Sequence, residues 1–304
     1  MVKTIPVGIR AYSVTSDPAG SFVYASSLLS DSKQQMSVIS TASNSIIATI
    51  EVGTPLGMAF APNGKTAYLT ECCANYVFVL NTKTKKFTVP IEVLSGPSAL
   101  AVTPNGKFLY VVEQENNCSA AVTVISTATK QIVTNIDLGL PSCALAGAIA
   151  ISPDGSTVYV SYSNPLHEQD PTGIQVIDTA SGMIVNSIYV PDAPVSATVS
   201  PDGQWLYVAQ NGSTSVAVID TSTQTITNNI QVGLMPLDVA FTPDGAFAYV
   251  AFGAGFSVEV IDTTTQTSSD GIYLGDNFYP ISVAVMGTHW PIVFGYSLKV
   301  RQGV

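Results

Sequence analysis

The sequence predicts an all-β protein, a seven-bladed β-propeller of four-stranded antiparallel blades, and three observations carry this prediction. A unit of four short strand patterns recurs along the 304 residues. Turn signals built on Pro-Asp-Gly or Pro-Asn-Gly separate the patterns. The last copy of the unit lacks a fourth strand, and the N-terminus supplies one that matches. We expect residues 1–304 to form a single propeller domain.

The most regular copy of the unit covers residues 200–233. It begins with Ser-Pro-Asp-Gly, where Pro fixes φ and Gly accepts a positive φ. The apolar and aromatic run QWLYVAQ follows, and Asn-Gly-Ser ends it. The segments SVAVID and TITNNIQV then alternate around a TSTQ turn. With the run LDVAF that precedes the next Pro-Asp-Gly, each repeat holds four short strands.

Six full copies of this pattern follow one another along the chain. They start near Val7, Val52, Val93, Leu138, Val190 and Val232. The spacing of roughly 40 to 50 residues is typical of propeller blades.

The C-terminal copy is degenerate. After Leu274 the chain contains only three strand patterns, and MGTHW replaces the Pro-Asp-Gly turn. The N-terminal segment VKTIPVG matches the fourth strand of other copies, for example TNNIQVG. We therefore expect the N-terminal strand to complete the C-terminal blade and close the ring, which removes exposed sheet edges.

The repeats resemble the YVTN family of seven-bladed β-propellers over essentially the whole chain. The segments that carry the resemblance are YVAQN (residues 207–211), YVAFG, YVSYS, YLTEC and YVVEQ. The Tyr-Val half of the motif is kept and the Thr-Asn half has changed. The resemblance implies the fold and leaves the activity open, because such propellers include cell-surface proteins, subunits of redox complexes and enzymes resembling lyases or lactonases.

Composition excludes two classes of function and favours a location. The net charge is −10, and no basic cluster occurs beyond Lys83, Lys85 and Lys86, which argues against nucleic-acid binding. The sequence contains no uninterrupted apolar run of about eighteen residues, which argues against a membrane span. The first residues lack the apolar core of a signal peptide. Sparse lysine and turns rich in Thr, Ser and Asn favour an exported protein in its mature form, and a cytoplasmic protein is the alternative.

Charge is predicted to differ between the two faces of the propeller. The top face carries the connections between second and third strands and those between blades, and the bottom face carries the other turns. Carboxylates assigned to the top are Asp31, Glu71, Glu113, Glu115, Glu168, Asp170, Asp192, Asp238 and Asp276, against Arg10 and Lys33. Most lysines fall on bottom turns: Lys65, Lys83, Lys85, Lys86, Lys107 and Lys130. An acidic top funnel favours a cation, a divalent metal or a basic protein segment, unless these carboxylates only keep the face soluble.

Several candidate site residues lie where an innermost strand begins or a second strand ends, close to the central channel. They are Arg10, Tyr12, Glu71, Glu113, Tyr162, Gln210 and Asp238. The first hypothesis is a binding propeller for a cationic or metal-associated small molecule or a basic protein segment. The alternative is a lyase, isomerase or hydrolase in which Arg10 or Tyr12 acts as electrophile and Glu71, Glu113 or His167 as acid–base group. His289 lies in the degenerate bottom turn and is expected to be structural.

The four cysteines all map to top loops. Cys118 and Cys143 are predicted to be neighbours that can form a disulfide. The adjacent Cys72 and Cys73 would then form a vicinal disulfide, which could act as a flat apolar platform for a ligand. Free thiols that bind a soft metal are the third interpretation, although the Cys-x-x-Cys spacing of zinc sites is absent.

Overall fold

The structure, a computed structural model, describes most of the chain as β-strands. The described residues are 2–8, 10–30, 33–53, 55–71, 74–114, 119–141, 144–164, 171–275, 280–286, 290–294 and 298–301. The described part of the chain contains no helix of the length and apolarity needed to cross a membrane. The prediction of an all-β propeller with antiparallel blades is confirmed.

The first strand, β1 (Val2–Ile5), precedes the first complete blade. Blade 1 contains β2 (Arg10–Ser16), β3 (Phe22–Ser30), β4 (Lys33–Ser40) and β5 (Ser45–Glu51). Blade 2 contains β6 (Pro55–Phe60), β7 (Thr66–Glu71), β8 (Tyr76–Asn81), β9 (Lys86–Phe87) and β10 (Ile91–Glu92). Blade 3 contains β11 (Pro97–Val102), β12 (Phe108–Gln114), β13 (Ala120–Ser126) and β14 (Ile132–Asp137).

The second half of the chain repeats the same order. Blade 4 contains β15 (Leu145–Ile151), β16 (Thr157–Ser163), β17 (Gly173–Asp178) and β18 (Met183–Tyr189). Blade 5 contains β19 (Pro194–Val199), β20 (Trp205–Gln210), β21 (Ser215–Asp220) and β22 (Thr225–Gln231). Blade 6 contains β23 (Pro236–Phe241), β24 (Phe247–Phe252), β25 (Ser257–Asp262) and β26 (Thr267–Tyr273). The last strands are β27 (Ser282–Met286), β28 (Trp290–Phe294) and β29 (Leu298–Arg301).

The two ends of the described chain meet in one sheet, which we call the closing sheet. Its strand order is β1-β29-β28-β27, and β1 pairs antiparallel with β29 from Val2 opposite Arg301 to Ile5 opposite Leu298. The innermost strand β27 contacts β23 of blade 6 and β2 of blade 1. The segment after blade 6 supplies only three strands, so this sheet draws its fourth from the other end of the chain.

The prediction of a seven-bladed propeller of four-stranded blades is wrong. Among the described residues, six blades are each formed by one continuous segment, and the closing sheet is composite. Blade 2 has five strands, because its outer strand is divided into β9 and β10 around residues 88–90. Pro90 lies in this gap and has no N–H to donate to β8, so the ladder stops and resumes at Ile91, opposite Val77.

The core lies between neighbouring blades. Tyr207, Val216 and Val218 of blade 5 pack in one cluster with Ala248 and Val250 of blade 6, and equivalent clusters join the other neighbours. The innermost strands contact one another in succession around the central channel. Because each blade buries both of its faces against neighbours, the second and third strands are almost entirely buried.

A hydrogen bond that repeats in all six blades holds the bottom turns together. The hydroxyl of a Thr after the third strand donates to the carbonyl of the turn glycine, as in Thr221 to Gly203 at 2.6 Å. The turn glycine also packs on the turn proline of the preceding blade. A Cβ at Gly155 would lie 3.3 Å from the Cδ of Pro104, and one at Gly203 would lie 3.5 Å from the Cδ of Pro153. The turns of blades 1 to 6 thus contact one another in succession along the bottom face.

Candidate functional site

Side chains at the ends of second strands hold the connections between blades at the top of the channel. Oε1 of Glu71 accepts the backbone N–H of Gly53 at 2.8 Å, and Oε2 of Glu113 accepts that of Ser95 at 3.0 Å. The two carboxylates occupy equivalent positions, opposite the first residue of β6 and β11. Each carboxylate accepts a backbone N–H of the segment that enters its own blade. Both residues therefore stabilise the connection between blades and are also the candidate acid–base groups.

The equivalent position in blade 5 is Gln210, whose Nε2 donates to the carbonyl of Pro191 at 3.1 Å. Its Oε1 accepts the hydroxyl of Ser215 at 2.9 Å, and the side chain is buried. Gln210 therefore ties the same connection with an amide in place of a carboxylate.

Blade 4 has a tyrosine in the corresponding part of its second strand. Tyr162 is the residue before the last of its second strand, and its hydroxyl lies 3.3 Å from Oγ of Ser187 in the outer strand of the same blade. Gln175 of β17 instead donates from Nε2 to the carbonyl of Leu138 at 2.9 Å. Tyr162 is buried, so its phenol ring braces the blade.

Asp238 lies between three sheets and accepts four hydrogen bonds. Oδ1 accepts the hydroxyl of Ser196 in blade 5 and the N–H of Val239 in its own blade, both at 3.0 Å. Oδ2 accepts the hydroxyl of Ser282 at 2.7 Å and the N–H of Val283 at 3.0 Å, both in the closing sheet. Burial raises the pKa of Asp238, and the four hydrogen bonds oppose this shift without cancelling it.

Asp238 occupies a position where the inner strands bulge and leave an N–H to be satisfied. In blades 1, 2 and 4 a hydroxyl from the second strand accepts such an N–H, as Thr70 does from Gly57 at 2.9 Å. Blades 5 and 6 have Ala209 and Ala251 at the equivalent place, opposite Ser196 and Asp238. The carboxylate of Asp238 accepts the N–H of the following residue, Val239, and the hydroxyl of Ser196.

The central channel contains a cavity of about 530 Å³. Every innermost strand contributes to its wall, which combines apolar side chains such as Met58 and Leu100 with hydroxyls such as those of Thr15 and Thr198. Among the described residues of this wall, Asp238 alone carries a charge. A second cavity of about 620 Å³ shares part of the wall and extends past Asp17 at the bottom.

The top mouth of this channel is more apolar than the charge sorting of the sequence indicates. Leu56 and Leu145 lie at the starts of β6 and β15, and their side chains are 45% and 47% exposed. Leu234 and Met235 precede β23 and are 52% and 42% exposed. Sequence reasoning missed these residues because it sorted only charges. An apolar residue at or beside the first residue of β6, β15 and β23 was the available signal.

Several predicted site residues cannot be placed by their side chains. Arg10 and Tyr12 lie in β2, and Lys33 in β4, but their side chains are outside the described part of the chain. The remaining predictions fall on residues outside the description altogether: Asp31, Cys72, Cys73, Glu115, Cys118, Cys143, His167, Glu168, Asp170, Asp276 and His289. The disulfide, platform and thiol-metal hypotheses therefore stay predictions. Within the described residues, no three His, Cys, Asp or Glu side chains are grouped as metal ligands would be.

Comparison with known proteins identifies a family and confirms the fold. The family described as "Domain of unknown function (DUF5074)" matches residues 12–215. The seven-bladed beta-propeller protein Rv1057 of Mycobacterium tuberculosis is 29% identical over 123 residues, which cover 38% of this chain and 29% of that protein. Antigen Lp49 of Leptospira interrogans is 23% identical over 209 residues, which cover 64% of this chain and 44% of that protein. The chain thus aligns with less than half the length of both curated relatives.

A solved structure shares the fold over nearly the whole chain. Hydrazine synthase of Kuenenia stuttgartiensis superposes with a TM-score of 0.84 and covers 98% of this chain and 97% of its own. The sequence identity is 17%, so the likeness concerns the propeller fold alone.

Proposed function

The chain belongs to the DUF5074 family, and we propose that it is a binding propeller whose central channel takes a small organic cation. One observation carries the proposal: the wall of the 530 Å³ cavity has Asp238 as its single charged residue among those described. The volume lies within the range of about 300–1,000 Å³ that is usual for small-molecule sites. A lone carboxylate among apolar groups and hydroxyls favours a positively charged ligand with apolar substituents.

The hydrogen bonds of Asp238 restrict the class of cation that can bind beside it. A carboxylate offers about four lone-pair sites, and Ser196, Val239, Ser282 and Val283 already donate to its two oxygens. A metal ion or a primary ammonium would have to displace one of these donors. A quaternary or heavily alkylated ammonium needs only the charge, and it can place its alkyl groups against the apolar wall.

The mouth of the channel supports the same ligand class. Leu56, Leu145, Leu234 and Met235 are exposed around the top opening and offer apolar contact to a ligand on its way in. The predicted acid–base residues Glu71 and Glu113 bond backbone amides, which gives the enzyme alternative no support from those two groups. That alternative stays a prediction for Arg10, Tyr12 and His167.

The test is thermal unfolding and calorimetry of the intact chain with tetramethylammonium, choline and benzyltrimethylammonium. Neutral tert-butyl analogues, carboxylates, Mg²⁺ and Ca²⁺ serve as the comparison set. We expect only the organic cations to raise the Tm. At a ligand concentration about a hundred times the Kd, binding adds about 2.7 kcal/mol to the free energy of unfolding. Stabilisation by the divalent ions alone, or by none of the compounds, overturns the proposal.

Two variants locate the binding. Thr198 lines the cavity and has a half-buried side chain, so Thr198→Phe should fill the channel and abolish the effect of the organic cations. Asp238→Asn should weaken binding about tenfold or more, because it removes the single charge. Asp202→Asn is the matched control, since Asp202 lies on an exposed bottom turn. Unchanged binding by the Thr198→Phe protein would place the ligand elsewhere and contradict the proposal.

A further inference from the structure

The bottom face carries two sectors of opposite charge. Each of the six blades has two equivalent positions there, one in the Pro-x-Gly turn and one at the end of the third strand. In blades 4 to 6 both positions are always aspartate: Asp154, Asp178, Asp202, Asp220, Asp244 and Asp262. In blades 1 to 3 both are always neutral: Ala19, Ser40, Asn63, Asn81, Asn105 and Ser126.

The turn geometry does not explain this division. Oδ1 of Asn63 accepts the N–H of Lys65 at 2.9 Å, and Oδ1 of Asp202 accepts the N–H of Gln204 at 3.0 Å. At the second position Asn81 accepts the N–H of Thr84 just as Asp220 accepts that of Thr223, both at 2.9 Å. Asparagine and aspartate thus accept the same backbone N–H, so this bond forms with or without the charge.

The lysines of the bottom face occupy the opposite sector. They lie only in blades 2 and 3 among the described bottom turns: Lys65, Lys83, Lys85, Lys86, Lys107 and Lys130. All are exposed except Lys85, which is half-buried with its Nζ 5.6 Å from the centroid of the Phe22 ring. This sector holds six of the eleven basic residues of a chain whose net charge is −10.

The turns between the first and second strands of the six blades present exposed apolar residues around the channel opening. The turns of the six blades have the same length, and the proline of each turn is exposed beside the channel opening: Pro18, Pro62, Pro104, Pro153, Pro201 and Pro243. An apolar centre with a charged rim is the usual composition of a protein–protein interface.

We propose that the bottom face is a self-complementary interface for a second copy of this chain. A two-fold axis in the plane of the face lays the lysine sector of each copy over the aspartate sector of the other, which forms both contacts at once. The described charges of the face nearly balance, since Asp17 adds one carboxylate to the six of blades 4 to 6. The excess negative charge therefore lies elsewhere, and the bottom is the face on which two acidic copies can approach each other.

The test is sedimentation velocity of the full chain at low and moderate ionic strength. We expect a dimer at low salt whose Kd rises about tenfold or more as the ionic strength reaches the physiological range, because screening weakens exposed charge contacts. A monomer at about 100 µM in low salt overturns the proposal, since an interface of standard size would associate at that concentration. A dimer with no salt dependence overturns it as well.

Charge exchange supplies the decisive comparison. An acidic variant carries Lys83→Glu and Lys86→Glu. A basic variant carries Asp202→Asn, Asp244→Asn, Gln204→Lys and Ala246→Lys, which copies the Asn and Lys arrangement of blades 2 and 3. We expect each variant alone to be monomeric and an equimolar mixture to form a heterodimer with the Kd of the native chain or a lower one. Failure of the mixture to associate contradicts the opposed-sector arrangement.

Two controls keep the result interpretable. The variant Glu51→Lys with Glu92→Lys changes the net charge by the same amount as the basic variant, on outer strands at the top side, and should still dimerise. Circular dichroism and thermal unfolding verify that each variant is folded. Binding of the native monomer to a polyanion such as heparin through the lysine sector, without dimerisation, would favour an anionic partner and overturn the proposal.

Discussion

Oε2 of Glu113 accepts the backbone N–H of Ser95 at 3.0 Å, and the side chain of Glu113 has no exposed surface. A carboxylate that the sequence places beside the channel thus holds the segment entering its own blade. Glu71 bonds Gly53 in the same way in the preceding blade, and Gln210 bonds Pro191 in blade 5. The position has one structural task, and different polar side chains perform it.

We predict that Glu113→Ala destabilises the protein by about 2–3 kcal/mol, because the N–H of the half-buried Ser95 loses its acceptor and a cavity replaces the buried side chain. Glu113→Gln keeps an acceptor oxygen and should cost less than the Ala substitution by at least about 1 kcal/mol. Urea denaturation measures both. Glu92→Ala is the control, since Glu92 is exposed and should change stability by no more than about 0.5 kcal/mol. Equal losses in unfolding free energy for Glu113→Ala and Glu113→Gln would show that the hydrogen bond to Ser95 does not stabilise the protein.

Much of this fold could be predicted from the sequence because turn chemistry is local. Each Pro-x-Gly turn reads directly from its residues, and the glycine at Gly203 has φ of 77°, a conformation that other residues rarely adopt. Alternation of apolar residues then places the strands between the turns. The interruption of the outer strand in blade 2 was missed, although Pro90 is a visible signal for it.

The site was harder to predict because its geometry depends on contacts between blades. Asp238 was chosen for its charge and its assignment to the top face near the channel. It lies within β23 on the wall of the channel cavity, and its partners Ser196 and Ser282 lie 42 and 44 residues away in the chain. Nothing in the local sequence shows that four donors surround this carboxylate. The exposed leucines at the top mouth were missed for a different reason: only charged residues were assigned to the two faces, although Leu56 and Leu145 lie at the starts of inner strands.

The pKa of Asp238 predicts a pH dependence of stability with an unusual sign. Burial raises this pKa above the ordinary aspartate value of 3.8. Between the two values the native state holds a proton that the unfolded chain has released, so the contribution of Asp238 to stability falls as the pH rises through that window. We expect the difference in unfolding free energy between the native chain and Asp238→Asn to decrease from about pH 3 towards pH 7.

Asp154 provides the matched comparison. Hydrogen bonds from Ser152 and Ser156 lower the pKa of its carboxyl below 3.8. Its stabilising contribution is therefore present above 3.8 and is lost as the pH falls through the lowered pKa. The difference between the native chain and Asp154→Asn should increase with pH, opposite to that for Asp238→Asn. The same slope for both variants would contradict the burial of Asp238.

The contact between Gly155 and Pro104 predicts that a single methyl group added at position 155 lowers the free energy of unfolding. Gly155 has φ of 77°, and a Cβ there would lie 3.3 Å from Cδ of Pro104. Gly155→Ala should therefore cost more than the roughly 1–2 kcal/mol of a left-handed non-glycine residue. Gly139→Ala is the control, because Gly139 has φ of 58° and no atom within 4 Å of its Cβ position. Urea denaturation should rank Gly155→Ala as the costlier, and equal costs would show that the inter-blade contact is absent.

The hydroxyl of Thr221 predicts how much one bottom turn contributes to the ring. Oγ1 donates to the carbonyl of Gly203 at 2.6 Å and lies 3.1 Å from that of Gln204, which ties the turn after the third strand to the turn before the second. Thr221→Val keeps the shape and removes the donor, so we expect a loss of about 1 kcal/mol in the free energy of unfolding. Thr221→Ser keeps the hydroxyl and should lose less. The same pair of substitutions at Thr263, which bonds Gly245 and Ala246 in blade 6, should give equal costs because the geometry repeats. A loss confined to one blade would show that the turns are not equivalent in energy, despite their common hydrogen bonds.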